Sequence, residues 1–279
     1  MTILVLLFGV IGDPIHHTMS PLIHNEAFKV HNIDAHYTAF EVKIENLEQA
    51  MIGFKAMNIA GFNVTVPHKQ TIIPFLDGMD ELAKKIGAVN TVVNNNGKWI
   101  GYNTDGPGFI EHLKNLDPFF YQKKILIIGS GGAARAIYYS LGNEGCKQVD
   151  IANRTLLHAT NLMNTCPFHM ESKAITLDDA ENSLYKYDIL VQTTNVGMHP
   201  NIHETPIQLD QCREGTLAID IIYNPFETQF MKEAKKRKAT IANGLDMLVN
   251  QAALSFELWT GETFHRETAK IKVIKHLGG

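Results

Sequence analysis

Four short polar clusters hold the side chains best suited to chemistry. The first is Gly12-Asp13-Pro14-Ile15-His16-His17-Thr18-Met19-Ser20-Pro21, with His24-Asn25 just beyond. The others are Asn63-Val64-Thr65-Val66-Pro67-His68-Lys69, Gly87-Ala88-Val89-Asn90-Thr91 and Gly101-Tyr102-Asn103-Thr104-Asp105. Hydroxyls in these clusters can receive a carboxylate. Amides at Asn63 and Asn90 can read hydroxyl groups, and Lys69 with Asp105 can move a proton. That kit fits a small polyhydroxylated carboxylate. Each cluster alone also has a structural reading. Thr18 and Ser20 before Pro21 can cap a helix, Thr65 can do so with Pro67 early in the helix, and Asn90 and Asp105 can be turn residues.

A second kind of chemistry is written at Gly129-Ser130-Gly131-Gly132-Ala133-Ala134. The apolar run Lys124–Ile128 precedes it and a helical stretch, Arg135 to Leu141, follows. This is G-x-G-x-x-[GA] in its strand–turn–helix setting, which predicts a dinucleotide whose phosphates sit on free N–H groups at a helix N-terminus. Gly129 permits the tight turn, Gly131 the approach of a pyrophosphate, and Ala134 close helix–strand packing. The next strand, Gln148 to Ala152, ends in Asn153-Arg154-Thr155 rather than an acidic residue. A neutral position followed by Arg154 suits a ribose 2′-phosphate, and so NADP, better than a free 2′-hydroxyl. The alternative is that Arg154 is a solvated surface arginine.

The elements that must place these residues alternate. Strands are expected at Ile3–Ile11, His36–Glu41, Ile59–Val64, Thr91–Asn94, Lys98–Tyr102, Lys124–Ile128, Gln148–Ala152, Ile189–Gln192, Leu217–Ile221 and Ala239–Ile241, with helical patterns between most of them. Asn95-Asn96-Gly97 marks one hairpin. Alternation of this kind predicts an α/β fold of mostly parallel sheets with crossover helices. The 279 residues, 45% apolar, suffice for two cores. A boundary is expected near Asp105 to Gly108 and a return near Asn243-Gly244. That gives a substrate-binding and catalytic domain of 1–105 plus 244–279 and a Rossmann-type dinucleotide-binding domain of 106–243, with a cleft between them to hold ligands.

Together these residues resemble the shikimate dehydrogenase family. Its motifs G-x-P-x-x-H-S-x-S-P-x-x-H-N, N-V-T-x-P-x-K, G-A-V-N-T and G-x-N-T-D have counterparts here in order. The similarity runs on through the glycine loop, Asn153-Arg154-Thr155, Gly197-Met198, Asp220-Ile221-Ile222-Tyr223-Asn224-Pro225 with Thr228, Asn243-Gly244-Leu245-Asp246-Met247, Gln251 and Phe256-Glu257-Leu258-Trp259. The resemblance implies that Thr18 and Ser20 hold the substrate carboxylate with Tyr223 nearby. It implies that Asn63, Thr65, Asn90, Asp105 and Gln251 contact the ring and its hydroxyls, and that Lys69 is the acid/base, paired with Asp105. Gly129, Ser130, Gly131, Gly132, Ala133, Asn153, Arg154, Thr155, Ile221 and Gly244 would line NADP. The implied reaction is the reversible NADPH-dependent reduction of 3-dehydroshikimate to shikimate, in aromatic amino-acid and chorismate biosynthesis. Three positions depart from the family pattern: Thr18 stands for Ser, His158 for a second phosphate-binding arginine, and Gln192 for Asn. They leave open a quinate/shikimate dehydrogenase with relaxed cofactor use. Loss of Lys69 and Asp105 would have pointed to a non-catalytic binding module, and both are present.

Other signals are weaker. Thirteen histidines include His199 and His203, but Pro200 and Asn201 break any helix there, and no metal site is expected. The basic run Lys232 to Lys238 reads as a solvated helix face. A net charge of −4 with both signs mixed argues against nucleic-acid or membrane partners. Cys146, Cys166 and Cys212 are scattered, as in a reducing compartment. The apolar start lacks a basic n-region and a cleavage site, so a soluble, cytoplasmic enzyme is expected, with a homodimer as the assembly to test.

Overall fold

The computed structural model describes residues 5–278, so Ile3 and Leu4 of the expected first strand lie outside the described residues. The chain forms two compact units, Met1–Asp105 with Val249–Gly279, and Gly106–Leu248.

Unit 1 runs β1 (Leu6–Gly12), α1 (Ser20–Val30), β2 (Ala35–Glu41), α2 (Leu47–Ala56), β3 (Gly61–Val64), α3 (His68–Thr71), β4 (Gly78–Met79), α4 (Glu81–Ile86), β5 (Thr91–Asn95) and β6 (Lys98–Tyr102). Its sheet has the order β2-β1-β3-β5-β6-β4. β1 pairs in parallel with β2 and β3, whereas β5 is antiparallel to both β3 and β6. The β5–β6 pairing is the expected hairpin, where Asn96 and Gly97 take positive φ of 52° and 85°, as a tight two-residue turn requires. Phe54, Phe62, Val64, Val92 and Trp99 pack against one another in the core of this unit. α4 is bounded as its sequence directs. Asp80 accepts hydrogen bonds from the N–H groups of Leu82 and Ala83, and Gly87 ends the helix at φ 68°.

Unit 2 begins within α5 (Asp105–Leu116) and continues β7 (Lys124–Ile128), α6 (Gly132–Asn143), β8 (Gln148–Ala152), α7 (Leu156–Asn164), β9 (Ala174–Ile175), α8 (Leu177–Glu181), β10 (Ile189–Gln192), β11 (Leu217–Asp220), α9 (Gln229–Lys236) and β12 (Thr240–Ala242). Every pairing in its sheet, β12-β11-β10-β7-β8-β9, is parallel. The order reverses between β7 and β10, as in a doubly wound dinucleotide fold. Strands buried on both faces explain the unbroken apolar runs of β7 and β10.

α10 (Leu245–Thr260) and α11 (Arg266–His276) complete the chain. The return to unit 1 falls inside α10, after Leu248, instead of at Asn243-Gly244. Gly244 donates to the Ile222 carbonyl at 3.0 Å and accepts from Leu248 N at 2.9 Å, which keeps the first turn of α10 with unit 2. The two-residue edge strands β4 and β9 were not anticipated, because two residues carry no period to read.

Candidate functional site

Sheet register gathers three of the four polar clusters. Asn63 on β3 pairs with Thr91 on β5, which pairs with Tyr102 on β6, so Asn90, Thr91, Asn103, Thr104 and Asp105 lie at the same end of neighbouring strands as Asn63. Lys69 follows on α3. Its Nζ meets Asp105 Oδ2 at 2.5 Å, with side-chain exposures of 20% and 13%. Asn90 Nδ2 donates to Asp105 Oδ1 at 2.9 Å and to Thr104 Oγ1 at 2.9 Å, while its Oδ1 accepts from Thr104 N at 2.7 Å. Asn63 Nδ2 faces the Asn90 carbonyl, Thr91 Oγ1 and Ser255 Oγ, each at 3.1 Å. Ser255 sits one helical turn after Gln251 on α10 and donates to its carbonyl at 2.9 Å, which places Gln251 next to this network. One connected set of hydrogen bonds therefore runs from the buried amides to the largely buried lysine.

The hydroxyls are not spent on capping. Neither α1 nor α3 has a side-chain N-cap. Thr18 Oγ1 instead donates to Ser20 Oγ at 3.2 Å and accepts from Ser20 N at 3.3 Å, giving two adjacent hydroxyls at the start of α1. Thr65 contributes its backbone to the turn, donating to the Ile11 carbonyl at 2.9 Å and accepting from His68 N at 2.8 Å, and its side chain is partly exposed. Asn90 and Asp105 likewise do more than turn the chain, since both side chains are bonded within the network.

The cofactor candidates cluster in unit 2 at the carboxyl ends of β7, β8 and β11. Gly129 has φ +110°, and a Cβ there would lie 2.6 Å from Thr193 Oγ1, so only glycine fits the turn. Gly131 and Gly132 are exposed, and among the described residues nothing beyond their adjoining backbone lies within 4 Å of where a side chain would begin. Gly131 is the N-cap of the twelve-residue α6, so its open face lies at a helix N-terminus, where free N–H groups can bind an anion such as a phosphate. Ser130 and Ala133 flank it, both partly exposed, and Ala134 is buried. Asn153 donates to the Thr155 carbonyl at 2.8 Å, shaping the turn that carries Arg154 outward, and Arg154 and His158 are both exposed. A Cβ at Gly244 would lie 1.8 Å from the Ile221 carbonyl oxygen, so these two positions touch backbone to backbone. The pieces fit a dinucleotide. Tyr223 is partly buried, and loss of water pushes its phenol upward.

Gln192 is fully buried. Its Nε2 donates to the carbonyls of Thr194 and Val196 at 3.2 and 3.1 Å and lies 3.4 Å from Asp220 Oδ1, and its Oε1 accepts from Thr194 N. It thus shapes the loop before Gly197-Met198. Asp220 accepts from Thr228 Oγ1 at 2.6 Å and from Ile222 N at 3.0 Å. Burial is the largest influence on its carboxyl and raises it from 3.8 to about 6 against those hydrogen bonds.

Family models match the chain in order: the shikimate dehydrogenase substrate binding domain over residues 10–92, shikimate/quinate 5-dehydrogenase over 112–229, and the shikimate 5'-dehydrogenase C-terminal domain over 244–268. A curated shikimate dehydrogenase (NADP(+)) of Bacillus cereus is 52% identical over 275 residues, covering 98% of this chain and 99% of that one. The chain belongs to the shikimate dehydrogenase family. Its fold agrees: a shikimate dehydrogenase crystallised with NADP+ superposes with a TM-score of 0.92 at 39% identity, covering 99% of this chain and 96% of that one. The Thermus thermophilus enzyme in complex with NADP(H) and shikimate gives 0.87 at 31% identity, over 97% and 99% of the two chains. Curated family members at this level of identity are NADP(+)-dependent oxidoreductases.

Sequence reasoning missed two members of the network. Ser255 could have been found from Gln251, because residues four apart share a helix face. Tyr37, whose phenol reaches Asn63, had no local signal. Among the described residues, no three His, Cys, Asp or Glu side chains gather as a metal set, and no helix is long and apolar enough to cross a membrane.

Proposed function

We propose that the protein catalyses the reversible NADP(H)-dependent interconversion of shikimate and 3-dehydroshikimate. The observation that carries this reading is the Lys69–Asp105 pair at 2.5 Å, tied through Asn90 to the amide of Asn63. NADP, when bound, supplies or accepts the hydride. In unit 2, Gly129, Ser130, Gly131, Gly132 and Ala133 would hold its pyrophosphate, Arg154 with Asn153 and Thr155 its 2′-phosphate, and Ile221 and Gly244 the nicotinamide end.

The remaining work falls to the protein's own side chains. Thr18 and Ser20 present neighbouring hydroxyls to the substrate carboxylate. Asn63, Thr65, Asn90 and Gln251 read the ring hydroxyls. Reduction of the ketone leaves an alkoxide oxygen that must gain a proton as it forms, and Lys69 donates it. Asp105 takes no proton in this scheme. It holds the Lys69 amine in place through one oxygen, while its other oxygen is fixed by Asn90. In the reverse direction Lys69 removes the hydroxyl proton as the hydride leaves. We place the reaction in the cytoplasm, consistent with three free cysteines, and a homodimer as the assembly to test by sedimentation.

The test is shikimate-dependent formation of NADPH by the purified protein, with NAD and quinate run in parallel. Turnover with shikimate and NADP is expected to exceed the other combinations. No shikimate-dependent reduction of either cofactor by folded protein would overturn the reading, and faster turnover of quinate would reassign the substrate.

A further inference from the structure

The His24-Asn25 dipeptide is part of the first polar cluster, yet the proposed chemistry gives it no work. Both residues converge on Tyr37. His24 stacks on the Tyr37 ring with centroids 4.5 Å apart and planes 21° from parallel. Asn25 pairs with the Tyr37 backbone, accepting from its N–H at 2.8 Å and donating to its carbonyl at 2.8 Å. Tyr37 is 1% exposed, and its phenol oxygen lies 2.7 Å from Asn63 Oδ1.

The direction of that last bond follows from chemistry. The Asn90 carbonyl can only accept, so the Asn63 atom 3.1 Å from it must be the amide nitrogen. Asn63 Oδ1 therefore faces Tyr37, and because an amide oxygen cannot donate, the phenol must. Burial keeps that phenol protonated, with its ionisation pushed well above the usual tyrosine range and the nearby Ser20 hydroxyl offsetting part of the shift. Asn63 then presents two amide hydrogens toward three acceptors. Two of these, Thr91 Oγ1 and Ser255 Oγ, bond each other at 2.8 Å. One amide hydrogen can pass to a substrate hydroxyl without leaving either of them unbonded.

We propose that Tyr37 is a positioning residue for substrate recognition: its phenol O–H locks the Asn63 amide with the nitrogen toward the substrate, and His24 and Asn25 exist to hold Tyr37 in that pose. This rests on the reading that Asn63 contacts a substrate hydroxyl. Without the phenol, the orientation set by the Asn90 carbonyl leaves the Asn63 oxygen short of that hydrogen bond, and the flipped one turns the oxygen toward the carbonyl, so the amide donor is held less firmly toward the substrate.

The test is a double-mutant cycle on the full-length protein with Tyr37→Phe, Asn63→Ala and the pair, read in the shikimate KM and kcat at saturating NADP. Tyr37→Phe keeps the ring and its stack and deletes one hydroxyl. Its shikimate KM is expected to rise about 5- to 20-fold, the loss of one buried hydrogen bond, with kcat changed less than about 3-fold. The double variant should lose no more than Asn63→Ala alone, since Tyr37 acts through that side chain. The rise in Tm on adding shikimate, which reads folded protein only, should shrink in the same order. If Asn63→Ala raises KM but Tyr37→Phe does not, or the two losses simply add, the positioning role is overturned. If Asn63→Ala leaves KM unchanged, the assignment of Asn63 itself fails, and this inference with it.

Discussion

The two units prepare for their ligands in opposite ways. In unit 1, Lys69, Asp105, Asn90 and Asn63 are bonded to one another through their own side chains and the Asn90 backbone. Side chains from β3, the β5 and β6 ends, α3 and α10 are each held by a neighbour. In unit 2, Gly131, Gly132 and Arg154 are exposed, and the glycines face open space. There the backbone does the preparing, through a strand, a turn only Gly129 can make and a helix N-terminus. A network of side chains is pre-organised but interdependent, so single losses propagate. A backbone cradle tolerates side-chain loss, except at the residue that carries charge to the ligand.

Lys69→Met attacks the network at its reactive end and should give the largest effect. A loss of about 10²–10⁴-fold in kcat with little change in KM is expected of a proton-transferring lysine. Asp105→Asn should follow it, because the amine would lose the carboxylate that orients it. Steady-state kinetics beside melting curves decide the matter. A folded Lys69→Met enzyme with near-normal kcat would reduce the pair to a structural salt bridge.

Arg154→Ala attacks the open half, and its effect should be smaller and confined to binding. One charge-assisted phosphate contact is worth about 1.5–3 kcal/mol, so NADP affinity should fall roughly 10- to 150-fold while NAD affinity holds. Because His158 stands where a second arginine is usual in the family, little else is placed to compensate. Unchanged NADP binding in a folded variant would move the 2′-phosphate elsewhere.

The smallest effects should be in the pH dependence of stability, where the two units differ in sign. In unit 1, His24 is fully buried, and among the described residues its ring nitrogens have no partner within hydrogen-bond geometry, the Asn63 side chain being near. Burial lowers it from 6.5 to about 3, only partly offset by the nearby Asn63 side chain. Its depressed value makes the native state lose stability as pH falls from 6.5 toward 3. In unit 2, Asp220 rises from 3.8 to about 6. It therefore contributes stability below 3.8 that is lost as pH climbs through 6. His24→Leu should flatten the acid side of the Tm profile, and Asp220→Asn should flatten the decline between pH 4 and 6, each by a few degrees. Profiles parallel to wild type would show that these groups do not titrate with folding.

The same contrast governs what was legible in the sequence. The glycine loop is local: strand, turn and helix lie within about twenty residues, and each glycine has a steric reason that sequence alone can state. The long strands and the Asn95-Asn96-Gly97 hairpin were legible for the same reason. The network of unit 1 is built from Asn63, Asn90, Asp105 and Ser255, which only the β3–β5–β6 register and α10 bring together. Family motifs supplied most of those names, while Tyr37 stayed hidden because its role depends on a hydroxyl reaching Asn63 from β2, two strands away. The passage of α10 from one unit to the other has no sequence signal, because a helix pattern carries no mark of which unit each of its turns belongs to.

Asn25 has a consequence outside catalysis. β2 is the outermost strand of its sheet, and the outer edge of any sheet offers unpaired N–H and C=O groups to whatever extended chain comes near. At Tyr37 both groups are already taken by the Asn25 amide, which imitates a neighbouring strand with a single side chain. The middle of that edge is thereby closed to strand addition, so the residue that steadies Tyr37 also guards the sheet against edge-to-edge aggregation.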